Sequence, residues 1–212
     1  MGIEGWTDEE LELLPPLVQA ALTGDEVSVK GLLANGADPD SADGDGWTAL
    51  HAAATNGHAR CVDLLLAAGA TVDSLTVDGF TPLLNASGPG TAESVRPLIM
   101  AGAEVSHRDK PTGASPAARA SDYGNAGVLQ LLLEAGADPH EQDEEGFTLL
   151  MTAAEGGSME CVNLLLAAGA DPDRTSQGIS AADLAQRMGH DPLAARLRQA
   201  SYLAGASHLV RQ

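Results

Sequence analysis

Asp45-Gly46-Trp47-Thr48-Ala49-Leu50-His51-Ala52-Ala53-Ala54, continuing to Leu64-Leu65-Leu66-Ala67-Ala68-Gly69-Ala70, is the stretch whose reading decides the fold. It reads as a turn, a short helix, a second turn at Asn56-Gly57, a longer apolar helix and a glycine-terminated end. The pattern returns at Gly146-Phe147-Thr148-Leu149-Leu150, which leads to Leu164-Leu165-Leu166-Ala167-Ala168-Gly169-Ala170 at the same internal distance. Self-similarity at a fixed period is the signature of a repeat array.

A Gly-Ala pair marks the unit ends at Gly36, Gly69, Gly102, Gly136 and Gly169, spaced 33, 33, 34 and 33. Start marks keep pace at Thr48, Thr81, Ser115, Thr148 and Ser180. Counting back 21 residues from Gly36 reaches Pro15, where Pro15-Pro16-Leu17-Val18 fits the mould without its threonine. About six units follow, the first and last degenerate: 12–44, 45–77, 78–111, 112–144, 145–176 and 177–200. They make one repeat domain over 12–200, between an acidic extension (1–11) and a tail (201–212).

These residues resemble the ankyrin repeat; Thr48-Ala49-Leu50-His51-Ala52-Ala53 and Thr81-Pro82-Leu83-Leu84-Asn85-Ala86 are the closest copies of its core motif. The resemblance covers about residues 12–200. It implies an all-α repeat solenoid of helix-turn-helix units joined by projecting β-turn or hairpin loops, and a protein-binding role. It also implies that His51 supports neighbouring loops by hydrogen bonding. The residue between the turn glycine and the capping residue is expected on the concave side: Trp47, Phe80, Ala114, Phe147 and Ile179. Some family members are hydroxylated on an asparagine after the Gly-Ala turn. Those places hold Asp40, Asp73, Ser106, His140 and Asp173, so asparagine hydroxylation is not expected there.

One unit can be read from physics alone. Thr48 caps a helix through its hydroxyl, and Pro82 and Pro116 suit a first helical turn. Ala52, Ala53 and Ala54 leave room for a neighbouring helix. Cys61, Val62, Leu64, Leu65 and Leu66 bury the second helix, and Gly69 ends it. A single hairpin cannot bury its own apolar faces, so neighbours stack. Departures mark irregular places. Pro97 falls inside the second helix of the third unit, which predicts a short or kinked helix. The loop 107–113 carries the extra residue of the 34 spacing, and Ala117-Ala118 replace the Leu-His of the motif, so the fourth unit is expected to be least regular. At the start, Thr7 and Glu10 predict a short capped helix over 7–14. At the end, Arg187, Arg196 and Arg198 supply a polar outer face, and residues 201–212 either extend the last helix or trail from it.

Composition narrows the function. The 212 residues hold 30 acidic and 11 basic side chains, a net charge of −19. Charge of that sign argues against a nucleic-acid partner. Hydrophobic residues make up 44% but aromatics only 3%, which favours closely stacked Leu/Ala helices. Cys61 and Cys161 hold the same place three units apart, about 25–30 Å in a stack of helices, too far for a disulfide. No apolar run approaches the roughly 18 residues a membrane span requires, and the start lacks a signal-peptide profile. A cytoplasmic or nuclear location is expected.

Catalytic and metal chemistries find no pattern. His51 and His58 are seven apart, without HExxH or CxxC. Asp38, Asp40, Asp43 and Asp45 crowd one loop but lack calcium-loop spacing and its closing glutamate. Ser87-Gly88-Pro89-Gly90-Thr91 has no lysine after it and no strand before it. Gly178-Ile179-Ser180-Ala181-Ala182 lacks the second glycine of a nucleophile elbow. No catalytic residue, metal or cofactor is expected.

Surface remains. Three of the six aromatics, Trp47, Phe80 and Phe147, share the concave position, and aromatics dominate binding hot spots. Acidic turns at 38–45 and 138–145 flank the less acidic His107, Arg108 and Lys110. The expected contact residues are Asp45, Trp47, Thr55, Asn56, Phe80, Tyr123, Glu144, Glu145 and Phe147. The sequence reads as a non-catalytic protein-binding module, an adaptor or a subunit of a larger complex. The alternative is an acidic chaperone that shields a basic client.

Overall fold

The computed structural model describes residues 13–209, with side chains as far as residue 204. The acidic extension and its Thr7–Glu10 capping box lie outside the described residues. The chain folds as two compact units, 1–116 and 117–212, and twelve helices occur among the described residues. The fold class is the expected all-α repeat solenoid.

In the first unit, short helices α1 (Pro16–Thr23), α3 (Ala49–Thr55) and α5 (Pro82–Ala86) alternate with α2 (Glu26–Ala34), α4 (Ala59–Ala67) and α6 (Ala92–Met100). α1 packs on α3 and α3 on α5, while α2 packs on α4 and α4 on α6. The result is an inner layer and an outer layer. Alanine explains the tight inner layer: all seven residues of α3 are buried, four of them alanines. Cys61, Val62 and Leu65 form the buried face of α4.

Helix boundaries follow their side chains. Thr81 Oγ1 accepts the amide of Leu84 at 3.1 Å to open α5. The Asp25 carboxylate accepts the amide and hydroxyl of Ser28 at 3.0 and 2.6 Å to open α2. These bonds to Ser28 hold the Asp25 pKa below the ordinary carboxylate value. At the end of α4, Gly69 adopts φ +91, so that Gly69 and Ala70 return their amides to Leu66 and Leu65. That left-handed cap is unfavourable for a residue with a Cβ.

Pro97 lies inside α6, which nonetheless runs nine residues, the length of α4, so the proline does not shorten it. A helical proline removes its own amide from the ladder and crowds the carbonyl four residues earlier. Both ends of α6 are held independently. Thr91 and Ser94 cap each other's amides at 3.2 Å, Ser94 Oγ donates to Ala54 O at 2.9 Å, and the Ala101 amide reaches Pro97 O at 2.9 Å.

The second unit repeats the scheme with α7 (Pro116–Asp122), α8 (Ala126–Glu134), α9 (Leu149–Glu155), α10 (Met159–Ala167), α11 (Ala181–Arg187) and α12 (Asp191–Leu209). α9 packs on α10 and α11, α10 on α8 and α12, and α11 on α12. A two-residue hairpin, β1 (Thr175–Ser176) against β2 (Ile179–Ser180), is antiparallel and leads into α11. α12 continues past residue 200 as one helix, its first half anchored by buried Leu193, Ala194 and Leu197. Both cysteines are buried and free, and burial pushes each thiol pKa up.

Candidate protein-binding surface

Turns project between the helix pairs, and their own polar side chains build them. In the first unit, Asp43 Oδ1 accepts the amides of Asp45 and Trp47 at 3.0 and 2.8 Å. Asp143 does the same for Glu145 and Phe147 at 2.9 and 2.8 Å in the second unit. Thr76 fills the corresponding place in the next turn of the first unit, where its hydroxyl accepts the Phe80 amide at 3.1 Å. Asp40 accepts both the amide and the hydroxyl of Thr71, at 2.7 and 2.6 Å. Several acidic residues thus serve as backbone acceptors, which gives them a structural role apart from any partner.

His51 joins two turns. Its Nε2 lies 3.1 Å from Phe80 O; a carbonyl only accepts, so Nε2 carries the proton. Nδ1 is then the acceptor, 3.3 Å from the Thr48 amide and 2.9 Å from its hydroxyl. Burial pushes the His51 pKa down to about 4, which keeps this neutral tautomer in place. The Trp47 ring lies over it, centroids 5.4 Å apart and planes tilted by 31°. Two further histidines make similar bonds within the unit: His58 Nε2 to Leu22 O at 3.1 Å, and His107 Nε2 to Gly79 O at 2.8 Å.

Of the expected contact residues, the first unit holds Asp45, Trp47, Thr55, Asn56 and Phe80. Asp45 is exposed, and Trp47, Asn56 and Phe80 are half-buried. The Trp47 Nε1 is enclosed and has no hydrogen-bond acceptor among the described residues. Asn56 Nδ2 donates to Ala52 O at 2.8 Å. Thr55 requires a correction: it is 5% exposed, its hydroxyl enclosed without a partner, because α3 is flanked on both sides by α1 and α5. It offers no surface. In the second unit Tyr123 is 60% exposed, Glu144 and Glu145 are exposed, and Phe147 is half-buried. Reading the sequence missed Leu75 and Val77, large apolar residues at a turn tip. The available signal was an apolar pair where other turns carry small or polar residues.

No group of three or more histidine, cysteine, aspartate or glutamate side chains is arranged to hold a metal ion among the described residues. Nor is any helix among them long and apolar enough to cross a membrane.

Stacked helix pairs with projecting turns define a helical repeat protein. The model of the family "Ankyrin repeats (3 copies)" matches residues 17–109 and again 117–206, and the chain belongs to the ankyrin-repeat family. A search of curated proteins found no match. Ankyrin repeats are generally protein–protein interaction modules.

Proposed function

We propose that this chain is a non-catalytic adaptor or assembly subunit, cytoplasmic or nuclear, that binds a protein partner through turn tips and inner helices. The observation that supports this reading is the Trp47–His51–Phe80 arrangement. Two half-buried aromatic rings stand on adjoining turns, and a buried imidazole ties those turns together. Rigid aromatic side chains give large contact area at small entropic cost, and such residues dominate hot spots. Asp45 lies on the same turn as Trp47 and Asn56 caps the far end of α3, while Tyr123, Glu144, Glu145 and Phe147 are the contacts in the second unit. The test is to identify by mass spectrometry what co-purifies with the native protein, then measure its affinity for wild type and Trp47→Ala. A loss of at least about 1 kcal/mol is expected; unchanged affinity refutes the hot spot.

A second reading, an acidic chaperone for a basic client, is favoured by the net charge of −19 and the exposed Glu144 and Glu145. Electrostatic capture of that kind depends on salt. Affinity should then fall steeply as salt rises, and Glu144→Lys with Glu145→Lys should weaken it. Salt-insensitive capture rules this reading out.

A further inference from the structure

We propose that Asn35, followed by Gly36, is a site of spontaneous deamidation at the end of α2, and that its aspartyl and isoaspartyl products loosen the last turn of that helix. This inference stands apart from the protein-binding reading above.

The chain holds two Asn-Gly pairs, Asn35-Gly36 and Asn56-Gly57, and no other asparagine precedes a glycine. Glycine has no Cβ to shield its own nitrogen, so in such a pair the following amide has the freest approach to the asparagine side chain. Both pairs close a helix with nearly the same backbone. Asn35 has φ −88 and ψ 10, and Asn56 has φ −90 and ψ 5; Gly36 follows at φ +86 and Gly57 at φ +78. Local geometry does not distinguish them.

Their surroundings do. Asn35 and Gly36 are exposed, whereas Asn56 and Gly57 are half-buried. Asn56 Nδ2 is held by Ala52 O at 2.8 Å, while no hydrogen bond holds the Asn35 side chain among the described residues. A Cβ on Gly57 would stand 2.9 Å from Thr91 Cγ2, but one on Gly36 meets nothing within 4 Å. In both caps the glycine amide is turned back on its own helix, Gly36 to Leu33 O at 3.0 Å and Gly57 to Ala54 O at 3.2 Å, so the reaction waits for the cap to open. Opening at Gly36 releases one exposed turn of α2. Opening at Gly57 must also free Asn56 from Ala52 and shift Thr91. Such local openings cost little at exposed ends and much more in packed segments.

The atoms balance with water alone. The Gly36 nitrogen, its proton lost to hydroxide, attacks Asn35 Cγ. The new N–Cγ bond closes a succinimide ring as the Cγ–Nδ2 bond breaks, and Nδ2 leaves as ammonia with a proton from water. Water then opens the ring. Cleavage of the N–Cγ bond gives aspartate, and cleavage between the nitrogen and the Asn35 main-chain carbonyl carbon gives isoaspartate. Overall one water is consumed and one ammonia released, with no oxidation or reduction.

Both products weaken the end of α2. Each adds a carboxylate where the helix dipole is negative, and α2 has no basic residue in its last turn to offset it. The isoaspartyl form also adds a methylene to the main chain. That draws the amides of Gly36 and Ala37 away from Leu33 O and Leu32 O, each 3.0 Å distant in the intact cap.

The full-length protein is incubated in mildly alkaline buffer made with heavy-oxygen water, once folded and once in urea, then digested and mapped by mass spectrometry. In the folded protein Asn35 should convert at least about fivefold faster than Asn56, and in urea the two rates should lie within about twofold of each other. Amide exchange on the incubated folded protein should show lost protection at Gly36 and Ala37. Asn35→Gln, which needs a larger ring, should keep that protection through the same incubation. Conversion at Asn35 no faster than at Asn56 in the folded chain overturns the site. The same fivefold ratio in urea overturns its structural cause. Conversion at Asn35 with protection at Gly36 and Ala37 unchanged overturns the loosening of α2.

Discussion

His51 Nε2 stands 3.1 Å from the carbonyl oxygen of Phe80, so one buried imidazole spans from the cap of α3 to the base of the following turn. The bond needs the neutral ring. In the folded chain the His51 pKa lies at about 4, against an ordinary 6.5, because burial disfavours the charged form. Between those two values the unfolded chain takes up a proton that the folded one refuses. The contribution of His51 is therefore complete above pH 6.5 and declines as pH falls toward 4, by roughly 3 kcal/mol over the window. His51→Gln should be less stable than wild type at pH 7.5 by about 1–3 kcal/mol. Its stability should also fall less between pH 6.5 and 4.5. Urea melts of both proteins across that range check this; parallel pH profiles would contradict it.

Gly46 stands at φ +81, and a Cβ there would lie 2.9 Å from Leu75 O and 3.2 Å from Thr76 Cα. Both obstacles are backbone, so neither swings aside. Gly46→Ala should cost at least about 1 kcal/mol and loosen the bond from Val77 to Asp45. Thermal melting and amide exchange at Val77 test the two parts. Gly36→Ala is the control: its φ of +86 carries the same backbone strain, but nothing lies near its Cβ. It should be the milder change, and equal effects would remove the steric argument.

Leu65 is fully buried on α4, a helix that packs on α2, α3 and α6. Leu65→Ala removes a fully buried side chain, and a loss of about 2–5 kcal/mol is expected. Chemical denaturation measures it, and a silent substitution would contradict the core assignment.

Much of this fold was legible because a repeat states each rule several times. The capping residues Thr48, Thr81, Thr148 and Ser180 all open helices, and the Gly-Ala ends recur at one spacing. His51 was legible as a bridge on the family's pattern, although its partner atom was not. What failed depends on neighbours rather than on the local string. Proline at 97 does not shorten α6, whose first turn is anchored by Ser94 on Ala54 O, forty residues earlier in the chain. Thr55 was expected at the surface, but α3 is packed between α1 and α5, and the residue is buried. Leu75 and Val77 stand out only when the turns are aligned with one another, and the structure shows both exposed.

Thr55 also offers a test of what the inner layer tolerates. Its hydroxyl is enclosed and has no hydrogen-bond partner among the described residues, so it bears a desolvation cost without return. Valine has nearly the same shape and no polar group. Thr55→Val should leave stability unchanged or raise it by about 1 kcal/mol, and it should leave partner affinity within twofold of wild type because the side chain is not at the surface. Calorimetric melting and a binding measurement with the co-purifying partner address the two points separately. A loss of stability greater than about 1 kcal/mol would mean that the hydroxyl is bonded in solution. A loss of affinity with stability intact would return Thr55 to the contact surface and require α3 to open when the partner binds.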